Sequence, residues 1–234
     1  MEFGEYYKNK SIVESYEEKR AKGVKGNITR KLERKLVELL LSGTGKNILE
    51  AGVGTGFITE ILLKHGKVEG FDISKEMISK TKKRFRGIRL KEGNILSFKS
   101  KKKYNTIVSV RVISHFKFGD AERALKNLKG ALKNDGCIIF NLENKSFIRR
   151  LLRKLTRWGS TETYQYSEYS RKALVERAGL KIKEVLYLDH LFLVPIHLVN
   201  KLIGGMLDNF ILNLELNLSK LEFASNNSFI KCQK

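Results

Sequence analysis

The chain has 234 residues, 46 of them Lys or Arg against 25 Asp or Glu, with 41% apolar residues, two cysteines and one proline. That composition excludes collagenous, disulfide-stapled and most disordered chains, and the length suits one main domain whose core needs no metal or disulfide staple. The formal charge of +21 fits nucleic acid, an anionic membrane surface, an acidic ligand or a solvated lysine-rich surface, and does not choose among them.

Cys137 and Cys232 lie in separate apolar runs, with no Cys-x-x-Cys and no His/Cys cluster at zinc spacing. No metal is expected, and both are read as buried, reduced thiols. Residues Met1 to Glu5 carry neither the basic nor the apolar part of a secretory leader. The most apolar stretch, Leu191 to Leu218, is broken by Lys201, Asp208 and Glu215 well short of a bilayer span. A cytoplasmic chain, peripheral to membranes at most, is the expectation.

In chain order, Ile12 to Leu41 reads as helical, with Ile28, Leu32, Leu36, Leu39 and Leu40 at helical spacing, and Ser42 to Gly45 breaks the pattern. Strand Asn47–Ala51 enters a glycine turn and helix Phe57 to His65. Strand Val68 to Phe71, helix Lys75 to Phe85, strand Ile88 to Lys91, strand Thr106 to Val110, helix Asp120 to Leu132 and strand Cys137 to Leu142 follow. This alternation predicts an α/β fold, a mainly parallel sheet covered on both faces. A basic, apolar helix is expected from Ser146 to Trp158. Beyond it come helix Glu168 to Ala178 ending at Gly179, strand Lys181 to Leu188, helices within Leu191 to Phe223 and a final strand Phe229 to Gln233.

The informative motif is Glu50-Ala51-Gly52-Val53-Gly54-Thr55-Gly56, a Gly-x-Gly-x-Gly turn between strand and helix. Glycine permits positive φ and close approach of backbone to a ligand, and a following helix N-terminus offers N–H groups. A dinucleotide fingerprint would have its third glycine at position 57, where Phe57 stands, which disfavours a pyrophosphate ligand. Asp72 closes the next strand about 20 residues on, where a carboxylate can accept bonds from ribose hydroxyls. After the third strand, Asn94 can accept from an adenine amine, with Ile95 and Met77 flanking the ring.

These blocks resemble the class I S-adenosylmethionine-dependent methyltransferases, in the broad group that includes the ubiquinone and menaquinone biosynthesis enzymes. The resemblance rests on Ile48 to Gly56, Gly70-Phe71-Asp72-Ile73-Ser74 with Met77, Glu92-Gly93-Asn94-Ile95, Ile107 to Val110 leading to His115-Phe116, and Ala178-Gly179-Leu180. It implies a Rossmann-like, seven-stranded sheet and S-adenosyl-L-methionine as cofactor. By position it also implies that Glu50, Gly52, Gly54 and Gly56 line the cofactor's methionine side and that Asp72 holds its ribose. Ile73, Met77, Asn94, Ile95 and Ser109 complete the binding set, with Arg20 or Arg30 offered to the cofactor carboxylate. Asn94 stands where the family usually has Asp, so that contact lacks charge.

Residues 1–45 are then an N-terminal helical segment over the site, and 46–234 a methyltransferase domain with helical insertions at about 145–165 and 191–223. The sulfonium methyl is already electrophilic, so the protein's part is in-line positioning and removal of an acceptor proton. His115, at the mouth of the site, is the candidate general base, and Ser109, Arg111 and Asn141 lie at adjacent strand ends. The Asn-Pro-Pro-Tyr motif of amino-group nucleic-acid methyltransferases is replaced by Ser109-Val110-Arg111-Val112. The expected acceptor is therefore a small-molecule or lipid-like compound, with the basic helix near an anionic membrane. The basic runs Lys80 to Lys91 and Lys99 to Lys103 keep RNA as an alternative partner, and a non-catalytic cofactor-binding protein is the third reading.

Overall fold

The computed structural model describes residues 23–145, 164–190, 193–222 and 225–234. Arg20, the helix expected over Ser146 to Trp158 and the start of the first expected helix lie outside them. The elements in order are α1 (Gly23–Leu41), β1 (Asn47–Ala51), α2 (Thr59–His65), β2 (Lys67–Asp72), α3 (Lys75–Arg84), β3 (Arg89–Glu92) and β4 (Tyr104–Ser109). A short 3₁₀ turn (Ile113–His115), α4 (Phe118–Gly130), β5 (Leu132–Asn144), β6 (Gln165–Tyr166) and α5 (Glu168–Arg177) follow. The chain closes with β7 (Lys181–His190), α6 (Val194–Leu202), α7 (Asp208–Asn217) and β8 (Ser225–Gln233).

The main path of the sheet runs β3-β2-β1-β4-β5-β8-β7, with β6 paired to β5 off that path. β1 to β6 pair in parallel, whereas β8 is antiparallel to both β5 and β7. The order reverses at β1, which pairs with β2 on one side and β4 on the other. That is the switch point at which ligands bind in open α/β sheets, beyond the carboxyl ends of the strands. The fold class expected from the alternation is therefore the one observed.

Strand period two divides the core between the faces of the sheet. Leu49, Ile107, Ile138, Phe140 and Ile230 pack in one apolar layer with Ala124, Leu125 and Leu128 of α4 and Leu174 and Val175 of α5. Their alternates Ile48, Val108, Ile139 and Phe229 pack in the other, with Leu32, Leu36 and Leu40 of α1, Ile61 and Leu62 of α2 and Ile211 of α7. Both cysteines are free and buried. Among the described residues no helix is long and apolar enough to cross a membrane.

Two of the boundaries that differ from the pattern reading do so for identifiable reasons. β5 starts at Leu132 because that residue pairs with Tyr104 before a register shift leads into Thr106 opposite Cys137. β8 starts at Ser225 because the polar run Ser225 to Ser228 lies between β5 and β7, where Asn144 Nδ2 donates to Ser225 Oγ at 2.8 Å.

At the far end of β7 a buried pair fixes α7 to the sheet. His190 and Glu215 are each 1% exposed. His190 Nδ1 lies 2.7 Å from Glu215 Oε2 and Nε2 lies 2.8 Å from the Leu221 carbonyl, while the His190 amide donates to Glu215 Oε1. Both ring nitrogens face acceptors, an arrangement satisfied only when both carry protons. Burial works against that charge, but the bonds to Glu215 and Leu221 and the nearby Asp189 outweigh it and hold the imidazole pKa above its ordinary 6.5. A raised folded pKa contributes stability that is full below the unfolded value and is lost as pH rises through the folded one. Glu215→Gln is expected to cost about 1–3 kcal/mol at pH 6. The cost should shrink as pH rises through the raised folded pKa, and urea denaturation across a pH series measures it.

Candidate active site

The turn after β1 is built by three glycines in the left-handed region, each for a different reason. Gly52, Gly54 and Gly56 have φ of 84°, 55° and 81°. A Cβ at Gly52 would lie 2.2 Å from Val112 Cγ2, and one at Gly56 would lie 2.8–2.9 Å from Phe85 and Thr81. Those two glycines let protein pack on protein. A Cβ at Gly54 would meet nothing within 4 Å, so this glycine borders open space at the switch point.

The loop is held from below by the neighbouring strand. Gly54 N–H donates to Asp72 Oδ2 at 2.8 Å, the Ser74 amide donates to Asp72 Oδ1 at 2.9 Å, and Thr81 Oγ1 donates to the Gly54 carbonyl at 2.8 Å. The Gly52 and Val53 amides donate to the Phe71 carbonyl and the Gly56 amide to the Val53 carbonyl. Four loop N–H groups are thus consumed within the protein. This turn is not a phosphate cradle, in keeping with Phe57 at the third fingerprint position.

Its charge points the same way. Glu50 is 3% exposed and accepts from Thr59 Oγ1 at 2.6 Å. Burial, opposed by the Thr59 bond and reinforced by Asp72, pushes its carboxyl up to about 8. Asp72 is 8% exposed, and burial raises its pKa in spite of the backbone bonds from Ser74, Gly54 and Ile73. Two buried carboxyl groups set on adjacent parallel strands offer an anion no cation and suit hydroxyls and a ligand that brings positive charge.

Of the remaining candidates, Met77 is buried on α3, where its amide donates to the N-cap hydroxyl of Ser74, and Ile73 is half-buried just after Asp72. Asn94 is exposed and its Oδ1 accepts from the Leu96 amide at 2.9 Å, closing its own turn. Ile95 is buried in the core beneath that turn, and its carbonyl accepts from Asn127. Ser109 is fully buried and donates to the Ala51 carbonyl at 2.9 Å, which ties β4 to β1 where the loop departs. Hence Glu50, the glycines, Asp72, Ile73 and Asn94 gather at successive strand ends, while Ser109 and Ile95 support them from inside.

His115 is half-buried at the end of the 3₁₀ turn after β4. Its segment is braced by the Tyr164 amide donating to the Ser114 carbonyl at 2.8 Å and by Tyr166 Oη donating to the Phe116 carbonyl at 3.0 Å. Arg111, a non-glycine residue at φ 60°, donates its amide to Asn141 Oδ1 at 2.5 Å and pairs its guanidinium with buried Glu33 of α1. Arg30, one turn away on α1, lies 4.0 Å from the centroid of the Phe57 ring. These contacts bring α1 to the strand ends. The Glu33–Arg111 pair lacked any local signal, since it joins residues distant in sequence.

Comparison with known proteins agrees with this geometry. Residues 48–136 match the model of a methyltransferase domain family. The chain is 33% identical over 107 residues to an uncharacterized methyltransferase of Bacillus cytotoxicus, covering 45% of this chain and 50% of that protein. It is 28% identical over 120 residues to a ubiquinone biosynthesis O-methyltransferase of Coxiella burnetii, covering 48% and 50%. The chain thus spans about half the length of the curated relatives it matches. Among solved structures, magnesium protoporphyrin IX methyltransferase of Synechocystis with bound SAH superposes with a TM-score of 0.66, at 14% identity and over 97% of each chain. The chain therefore carries a methyltransferase domain, matched over residues 48–136, and has the fold of the class I S-adenosylmethionine-dependent methyltransferases.

Proposed function

We propose that this chain transfers a methyl group from S-adenosyl-L-methionine to a small-molecule or lipid-like acceptor. The observation that carries the reading is the pair of buried carboxyl groups, Glu50 and Asp72, at the adjacent strand ends from which the open turn at Gly54 is built. The cofactor bears an ammonium, a sulfonium and ribose hydroxyls, and acceptors of this kind suit it, whereas they offer a phosphate no cation. When bound, it supplies an electrophilic methyl group.

The chain's own residues then bind and orient. Each Asp72 oxygen keeps a lone pair after its backbone bond and accepts from ribose. Glu50 receives the ammonium, Asn94 the adenine amine, and Ile73 and Met77 give the apolar flank, with Ile95 beneath. Gly52 and Gly56 keep the loop at its height, and Arg30 meets the carboxylate. His115 removes the acceptor proton. The names of the relatives, which speak of ubiquinone biosynthesis and of magnesium protoporphyrin IX, support a small or lipid-like acceptor, as does the lack of Asn-Pro-Pro-Tyr after β4.

Calorimetry is expected to show micromolar binding of S-adenosylmethionine and S-adenosylhomocysteine and none of NAD. Gly54→Val should cost at least tenfold in that affinity because its side chain fills the open space. The positive φ should cost it about 1–3 kcal/mol of stability as well, so a thermal melt accompanies the titration. Unchanged affinity in a folded variant would move the pocket elsewhere.

Because Glu50 holds its proton up to about pH 8, an arriving ammonium must displace it. Affinity should therefore rise with pH below 8, by up to about tenfold per unit, with one proton released per ligand. Titrations in buffers of different ionisation enthalpy count that proton, and Glu50→Gln should abolish its release.

The acceptor class is tested with labelled cofactor against a lipid and small-metabolite extract and, separately, total RNA. Label is expected in the extract and to fall about 10²–10⁴-fold in His115→Ala with cofactor affinity kept. Labelling of a unique RNA nucleotide with none in the extract would reverse the acceptor assignment.

A further inference from the structure

In the helical hairpin between β7 and β8, α6 and the tip that follows it are folded with their polarity reversed. On α6, Asn200 is fully buried and His197 is 8% exposed, while Leu198 and Val199 are half-exposed and Leu202 is 86% exposed. The outward apolar surface continues through Ile203 and Met206, the latter 83% exposed, to Phe210 at the start of α7. A helix facing water turns its polar residues outward and its apolar ones in. Here the polar groups serve the inside of the hairpin, since Asn200 Nδ2 donates to Asp208 Oδ1 at 2.9 Å and its Oδ1 accepts from the Leu207 amide at 2.7 Å. Gly204 and Gly205, at φ 67° and 93°, make the tight reversal between the helices. The turn is thus built and fixed, and what it presents is a contiguous apolar tip.

Charge narrows what can meet that tip. Between Val194 and Asn217 the charged residues are Lys201, Asp208 and Glu215. Lys201 is exposed, Asp208 is engaged by Asn200, and Glu215 is buried against His190. The hairpin surface therefore has one outward cation and no fully exposed acid, on a chain of formal charge +21. Two copies meeting through this face would bring the same large positive charge together. An anionic lipid surface instead attracts the charge and dissolves the apolar side chains, the two signals that together anchor a peripheral protein. At 9 residues, α6 is about 14 Å long, too short to span a bilayer and suited to lying in its interface.

We propose that the α6–α7 hairpin inserts its apolar tip, Leu198 to Phe210, into the surface of an anionic lipid bilayer. The test needs neither cofactor nor turnover, so it fails or succeeds apart from the methyl-transfer reading. The full chain is floated with vesicles of phosphatidylcholine alone or with one third phosphatidylserine. It is expected to float with the anionic vesicles, and Leu202→Glu with Met206→Glu should lower the bound fraction about tenfold or more while the thermal melt stays within a few degrees. Tyr169→Glu, at an exposed position on α5, should leave flotation unchanged. Met206→Trp should shift its emission to the blue on vesicle addition and be quenched by brominated lipid. Equal flotation with neutral vesicles, flotation indifferent to the double variant, or a tryptophan that stays in water would each overturn the proposal. So would light scattering that shows a dimer dissolved by the double variant, which would make this face a contact between copies.

Discussion

The geometry of the site hangs on one hydrogen bond, from the Gly54 amide to the carboxylate of Asp72. It joins the turn at the end of β1 to the end of β2 and fixes the height of the glycine loop over the sheet. Asp72 spends its other oxygen on the Ser74 amide, beside the N-cap of α3. One carboxylate therefore sets the loop, the start of a helix and a ligand-facing acceptor at once. Such a group is expensive to bury unless its lone pairs are used, and here backbone donors use them.

That arrangement was legible in the sequence because its parts are local. Glycines spaced two apart at the end of an apolar run, and an acid closing the next run, are features of short windows with a direct backbone meaning. The alternation of strand and helix was legible for the same reason, since Ile48 and Leu49, or Ile107 and Val108, face opposite layers and both layers are apolar. Less legible was Asn94, whose side chain satisfies its own turn through the Leu96 amide, so that its reach toward a ligand depends on a bond it already makes. Ser109 illustrates the limit of reasoning from position alone. It sits at the right strand end, yet its hydroxyl belongs to the Ala51 carbonyl inside the sheet.

What the sequence hid are pairings between residues far apart along the chain. Nothing near Glu33 announces Arg111, and nothing near His190 announces Glu215, because each pair forms only after α1 and α7 have docked on the same apolar layer. The polar beginning of β8 was hidden in the same way. Ser225 to Ser228 has no strand-like pattern, and it is strand because β5 and β7 supply partners on both sides. In each case tertiary context overrides local preference.

The strand ends and the hairpin that follows β7 deal with polarity in opposite ways, and this sets where each is able to act. At the strand ends, carboxyl groups are buried, and burial raises their pKa values against the pull of backbone and hydroxyl donors, which makes them responsive to a ligand that brings positive charge. In the hairpin, polar groups are buried to hold a turn, and the apolar side chains that could have filled a core stand outside. Both arrangements cost stability in water, where burying carboxyl groups and exposing leucine are each unfavourable. The first cost is offset when a cation arrives. The second is offset only by an apolar environment, and because β7 runs in the same direction as β5, the hairpin leaves the sheet at the same end as the glycine turn.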